Sequence, residues 1–144
     1  MKITLASFNP LPAAVVSNKN QVLELVKSPA PKGELLVLPE AALCGCPLFD
    51  LFGDKELLKQ NQAALKELAK AARDIPVVLG YMDKDGNTPV TAAAYLYKGK
   101  ITKILDTHTV NVNGTRVQIN VGQAPQDAYV DDEADVVVFL HTTP

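Results

Sequence analysis

Residues 33–52 of the chain, GELLVLPEAALCGCPLFDLF, carry the pattern that decides the fold. Residues 35–38 are four successive apolar side chains without polar alternation, which is typical of a strand covered on both faces inside an α/β sheet. Glu40 follows Pro39 just past the carboxyl end of this strand. Because α/β folds usually place their active sites there, Glu40 is the first candidate for a general acid or base. The structural alternative is a solvated or helix-capping glutamate.

The elements around this stretch alternate between strand and helix, and then strands follow one another. An opening strand precedes a helix that we expect to begin at Ser17, its N-cap, and to end before Pro29. Asp54 is the expected N-cap of a second, longer helix. Further strands are predicted within residues 75–81, 91–97, 100–112, 115–121 and 135–144, with hairpin turns at 85–86, 98–99 and 113–114. This order predicts an α/β fold with helices packed on a mixed sheet.

Composition narrows the classes of function. The chain has 144 residues, 47% of them hydrophobic, which fits one globular domain with a core. Its formal net charge is -2, and no dense Lys/Arg cluster is evident in the sequence, so nucleic acid is not an expected partner. No apolar run reaches the roughly 20 residues that span a bilayer, and no signal peptide is evident. We therefore expect a cytoplasmic protein that does not associate with membranes.

The cysteines and histidines are the remaining candidates for chemistry. Cys44 and Cys46 are the only cysteines, and they are too close in sequence to staple distant parts of the chain. A nucleophilic or metal role would need a base, a cation or further ligands, so two small buried thiols are the better interpretation. His108 and His141 are the only histidines, and we assign them no role. With no Gly-rich phosphate loop, neither a cofactor nor a metal is predicted for this chain.

Residues 36–52, LVLPEAALCGCPLFDLF, resemble the nitrilase-superfamily segment in which Pro-Glu follows a buried strand. The similarity is greatest to the amidase domain of glutamine-dependent NAD synthetases, where the pattern is roughly [FL]-P-E-L-x-L-T-G-Y-P-x-x-D-L. On this match Glu40 is the counterpart of the catalytic general base, and Cys44 and Cys46 replace a threonine and an aromatic residue. The residues that agree are Gly45, Pro47, Asp50 and Leu51.

The resemblance implies a Glu-Lys-Cys triad, of which two members are missing. The lysine position aligns with Thr107, since Lys103 comes several residues too early. The nucleophile position aligns with Gly122, and Gln123 replaces its acidic neighbour. Glycine cannot form a thioester, so we expect neither Thr107 nor Gly122 to be functional and Glu40 to be the only retained member.

The resemblance also implies an architecture and partners. The fold would be part of an α-β-β-α sandwich, with residues 1–144 forming one amidase-like domain that is incomplete at its C-terminus. We expect the truncation to leave the apolar inner face of a sheet in water, which predicts a homo-oligomer. A separate NAD synthetase module is the other expected partner, and ATP and deamido-NAD would be bound there.

Three hypotheses follow. The first is a degenerate glutaminase-type domain with an assembly or docking role, whose parent activity is NAD biosynthesis from deamido-NAD. The second is an active carbon-nitrogen hydrolase with a rearranged Glu40/Cys46 site. The third is a stand-alone interaction module with no link to NAD.

Overall fold

The computed structural model of the protein describes residues 1–28, 33–122 and 130–140. These residues form two α-helices, a short 3-10 turn at Phe49–Leu51 and two sheets. The helices are α1 (Val15–Lys27) and α2 (Lys55–Ala71), and the strands are β1 (Ile3–Leu5), β2 (Leu35–Val37), β3 (Val77–Asp85), β4 (Thr88–Tyr97), β5 (Lys100–Ile104), β6 (Thr107–Val112), β7 (Thr115–Val121) and β8 (Val136–Leu140).

The first sheet has five strands in the order β1-β2-β3-β4-β5. β1, β2 and β3 run parallel, whereas β3, β4 and β5 are joined by antiparallel hairpins, so the predicted mixed sheet is confirmed. Residues 35–38 are buried on both faces, as the absence of alternation predicted. Leu36 and Leu38 pack under the helices, while Leu35 and Val37 face the second sheet.

Both helices cover one face of this sheet. Val22 and Val26 of α1 and Leu65 and Leu68 of α2 bury their side chains in the shared core. Asp54 is the N-cap of α2, as predicted, and its carboxylate accepts hydrogen bonds from the next backbone N–H groups at 3.1 Å. The predicted start of α1 was wrong, because the helix begins two residues before Ser17 and has no side-chain cap.

The second sheet has the order β6-β7-β8, with β7 and β8 parallel, and it packs on the other face of the first sheet. Val117 and Ile119 of β7 are fully buried in one core with Leu35 and Val78 of the first sheet. The expectation that the inner face of the sheet stands in water was therefore wrong, since the chain contains both sheets and closes this core itself. The described layers are helices, sheet and sheet, which fits the predicted part of an α-β-β-α sandwich.

Two turns decide how the chain passes between these strands. The segment predicted as extended over residues 100–112 breaks at Leu105 and Asp106, where the chain leaves the first sheet and enters the second. Asn113 and Gly114 then close the β6-β7 hairpin with φ angles of 50° and 86°, as this turn sequence predicts.

Among the helices within the described ranges, none is long and apolar enough to cross a membrane.

The chain that leaves β2 makes a close backbone contact with Gly80, which lies in the middle of β3. The Gly80 N–H donates a hydrogen bond of 3.0 Å to the carbonyl oxygen of Pro39. A Cβ atom at residue 80 would lie only 1.3 Å from the carbonyl oxygen of Glu40. Only glycine permits this approach, because any side chain would displace the backbone of Glu40.

We expect Gly80→Ala to destabilise the protein strongly, because backbone on both sides of the clash must move. Overpacking of this kind costs about 3 kcal/mol, which corresponds to a fall in Tm of roughly 10 °C for a chain of this size. Gly86→Asn is the matched control, since Gly86 lies in an open turn with φ of 62°, a conformation that asparagine tolerates. Thermal unfolding followed by circular dichroism measures both, and equal Tm values for the two variants would contradict the packing argument.

Candidate functional site

Glu40 is positioned by the hydrogen bonds that continue the sheet beyond β2. The Leu38 N–H donates to the carbonyl oxygen of Val78 at 2.8 Å, and Pro39 accepts from Gly80 as described above. Leu38 and Pro39, the two residues before Glu40, are thus tied to β3. The Glu40 side chain is half-buried. The structure places the carboxylate at the strand end where the sequence predicted it.

Asn18 fixes the loop that follows Glu40. Its fully buried side chain lies between α1 and the loop, where the amide nitrogen donates to the carbonyl oxygens of Leu11 and Leu43 at 2.9 Å. The amide oxygen accepts from the Leu11 N–H at 2.9 Å. These three hydrogen bonds satisfy the buried amide of Asn18 and hold the loop against α1. A polar residue at the helical spacing of Val15, Val22 and Val26 was the signal that could have identified it.

The loop and the strand end enclose a cleft of about 300 Å³. Glu40, Cys44 and Cys46 all contribute to its lining, together with Thr91 of β4 and the aromatic rings of Phe49 and Phe52. Thr91 was not predicted, because nothing in a β-strand sequence distinguishes one hydroxyl from the next. The lining contains one carboxylate and two thiols, and no Lys, Arg or His among its described residues.

The two cysteines differ in environment. Cys44 is buried, and burial, followed by the nearby Glu40 charge, raises the pKa of its thiol to about 11. A thiol of this kind is protonated at neutral pH and is a poor nucleophile. Cys46 is exposed at the mouth of the cleft, so the prediction of two buried thiols was right for Cys44 and wrong for Cys46.

The two positions that the resemblance aligns with the lysine and the nucleophile lie at one end of the second sheet. Thr107 begins β6 and pairs with Asn120, two residues before Gly122, and its Oγ1 accepts a hydrogen bond of 3.1 Å from Gln118. Gly122 follows β7 with φ of 80°, and a Cβ added there would meet open space. Neither Thr107 nor Gly122 lines the cleft of Glu40. Gln123 lies outside the described residues.

Lys103 does not line the cleft of Glu40. Its ammonium group lies 2.9 Å from the Gln62 side-chain oxygen and 3.7 Å from the Asp83 carboxylate, on the helix-covered side of the sheet. His108 is exposed near the start of β6, and His141 lies outside the described residues. Within residues 1–28, 33–122 and 130–140, no group of three or more His, Cys, Asp or Glu side chains is arranged to hold a metal ion.

Comparisons with known proteins agree with the resemblance. No family model matches the chain. A glutamine-dependent NAD(+) synthetase of Xanthomonas campestris pv. campestris (strain 8004) is 29% identical over 103 residues, which are 70% of this chain and 19% of that protein. The corresponding protein of Xylella fastidiosa (strain 9a5c) is 26% identical over 103 residues. The chain thus spans about a fifth of the length of the curated relatives that it matches.

Solved structures show the same fold. A glutamine-dependent NAD+ synthetase from Acinetobacter baumannii superposes with a TM-score of 0.84 at 18% identity, over 99% of this chain and 32% of that one. An amidase from Nesterenkonia sp. superposes with a TM-score of 0.78 at 15% identity, over 96% of this chain and 64% of that one. The chain is therefore homologous to glutamine-dependent NAD synthetases, and it has the fold of nitrilase-superfamily amidases.

Proposed function

We propose that this chain is a catalytically inactive, glutaminase-type domain that serves the assembly or docking of an NAD synthetase module in the cytoplasm. The proposal rests on the resemblance, which sets Thr107 and Gly122 at two catalytic positions, and on the amidase-like fold of the chain. The ATP and deamido-NAD needed for NAD synthesis would be bound by the associated module. This chain would contribute no cofactor site.

The chemistry of amide hydrolysis explains why one carboxylate is insufficient. A cysteine thiol must lose its proton and attack the amide carbon, the departing ammonia must receive a proton, and the developing oxyanion must be stabilised. Glu40 can carry protons, but a hydroxyl at Thr107 provides no cation and Gly122 provides no sulfur. The side chain of Glu40 then has no nucleophile to serve at the aligned position.

A rearranged active site is the second candidate function. Glu40 and Cys46 line the same cleft, and Cys46 is exposed, so a substrate amide could reach both side chains. This hypothesis would make the chain a working carbon-nitrogen hydrolase. The cleft's described lining lacks a cation, however, so oxyanion stabilisation would have to come from backbone N–H groups.

A stand-alone interaction module without a link to NAD is the third possibility. The complete reading frame around this sequence separates it from the first. An ATP-pyrophosphatase signature such as S-G-G-x-D-S downstream would support a domain that works beside a synthetase. A frame without that signature would favour an independent module.

We expect the wild-type protein to release no ammonia from glutamine, and Gly122→Cys to create no useful activity. The substitution supplies a sulfur in a backbone conformation that side chains rarely adopt, and it leaves the oxyanion without its lysine. Loss of one oxyanion donor typically costs about 10² to 10³ in rate. A coupled glutamate dehydrogenase assay measures this, with Cys46→Ser as the control. Turnover by the wild type that Cys46→Ser abolishes would instead establish the rearranged site.

We expect iodoacetamide at neutral pH to alkylate Cys46 at the rate of an ordinary exposed thiol, and to leave Cys44 unmodified. Because the pKa of Cys44 is raised to about 11, its alkylation should increase only as the pH rises toward that value. Mass spectrometry of tryptic peptides separates the two sites, and Cys46→Ser should abolish the neutral reaction. An alkylation rate at Cys46 more than about tenfold above that of free cysteine, and lost in Glu40→Gln, would indicate an activated nucleophile.

We expect the chain to self-associate, although the driving force cannot be an open inner face. The outer side of the second sheet presents half-buried Val137 and Phe139 of β8, and no helix in the described part of the chain covers them. Light scattering should give a mass above 15.5 kDa. Phe139→Ser should shift the mass toward that of the monomer, whereas Val16→Ser, at an exposed position of α1, should not. A monodisperse wild-type monomer at high concentration would contradict this expectation.

A further inference from the structure

The outer surface of α2 forms one side of a basic groove of about 530 Å³. Lys55, Lys59 and Lys66 lie along the helix, and Lys84 at the end of β3 faces them. All four side chains are exposed, in a protein whose overall charge is -2. The four lysines are spread over residues 55–84 of the sequence, and the fold brings them together. The groove therefore has a local positive charge that the composition did not reveal.

The carboxylate in the lining of the groove, that of Asp83, is already occupied. It accepts hydrogen bonds from the Tyr81 hydroxyl and from Gln62, and it lies 3.7 Å from the ammonium group of Lys103. No ion pair is described for Lys55, Lys59, Lys66 or Lys84 in residues 1–28, 33–122 and 130–140. The four ammonium groups of the groove thus lack an anionic partner in the described part of the chain.

The arrangement is unfavourable without such a partner. Lys55 and Lys59 are four residues apart on one helix face, where like charges repel and destabilise a helix. A solvated helix surface more often alternates charges of opposite sign. Lys19 of α1, by contrast with the lysines of the groove, pairs with Glu67 of α2 at 2.9 Å. An incoming anion would relieve the repulsion in the groove.

The floor of the groove also has apolar character. Half-buried Leu58 and exposed Ala63 lie between the lysines, and the methylene stems of the lysines can extend this apolar surface. From Lys55 to Lys66 the helix advances about 16 Å, at 1.5 Å per residue. This length matches a polypeptide segment of several residues. A single phosphate group would occupy only part of the groove.

We propose that this groove binds an acidic, amphipathic segment of a partner protein. Carboxylates of the segment pair with Lys55, Lys59, Lys66 and Lys84, and an apolar side chain packs on Leu58. A nucleic acid fits the site less well, because the described lining of the groove has no aromatic ring on which a base could stack. The groove has no arginine fork for bidentate phosphate binding among its described residues. The proposal is independent of whether the Glu40 cleft is active.

The test uses the whole chain and a fluorescein-labelled peptide of about twelve residues, rich in Glu and with one or two Leu. Fluorescence anisotropy should show saturable binding that weakens as ionic strength rises. Lys59→Glu/Lys66→Glu should weaken binding at least about tenfold, and Lys59→Arg/Lys66→Arg should retain it. The matched control, Lys70→Glu/Lys100→Glu, changes the net charge equally at exposed positions outside the groove and should alter binding less than about twofold.

Several outcomes would overturn the proposal. Equal losses in the groove and control variants would mean that the peptide responds only to net charge. Tighter binding of single-stranded DNA than of the peptide would identify a nucleic-acid surface. Self-association of the free chain that disappears only in the groove variant would identify a second copy as the occupant. Circular dichroism spectra unchanged from the wild type are required for each variant, and Lys59→Gln/Lys66→Gln, which should also weaken binding, supplies the test if the Glu variant does not fold.

Discussion

The architecture around the candidate site depends on the contact between Gly80 and the backbone at Pro39 and Glu40. The chain leaves β2 at the carboxyl end of the strand, and there it remains hydrogen-bonded to β3. The absence of a side chain at residue 80 allows this approach. Glu40 therefore owes its position to a backbone contact. The loop behind it, held by Asn18, and the cleft in front of it are arranged around that fixed point.

The first sheet is the wall shared by the two apolar cores. Residues 35–38 and the alternating residues of β3 and β4 send side chains to both sides, under the helices and toward the second sheet. Each core uses one face of this sheet. Removal of the helices or of the second sheet would therefore expose the face that it covers. The burial of the second sheet against the first also explains why a chain of this length can close both cores with its own residues.

Local patterns predicted much of this fold, and long-range contacts account for what they missed. The unbroken apolar run at 35–38, the Asp54 cap and the Asn113-Gly114 turn act over a few residues, so the sequence predicted them well. The break at Leu105 and Asp106, by contrast, depends on which sheet each strand joins, and extended sequences do not encode that choice locally. At the site, the sequence predicted the place of Glu40. Asn18 and Thr91 were missed, because their roles arise from segments that are distant in the chain.

The fixed backbone at Glu40 separates the position of this carboxylate from any catalytic role. A side chain at residue 80 would displace the backbone of Glu40, so the packing of β3 constrains the turn that carries Glu40. Gly122 differs, since a Cβ atom there would meet no described atom within 4 Å, and only its φ of 80° disfavours a side chain. Packing therefore constrains residue 80 far more than residue 122. The position of Glu40 follows from the packing of the fold, and it is a poor indicator of catalysis.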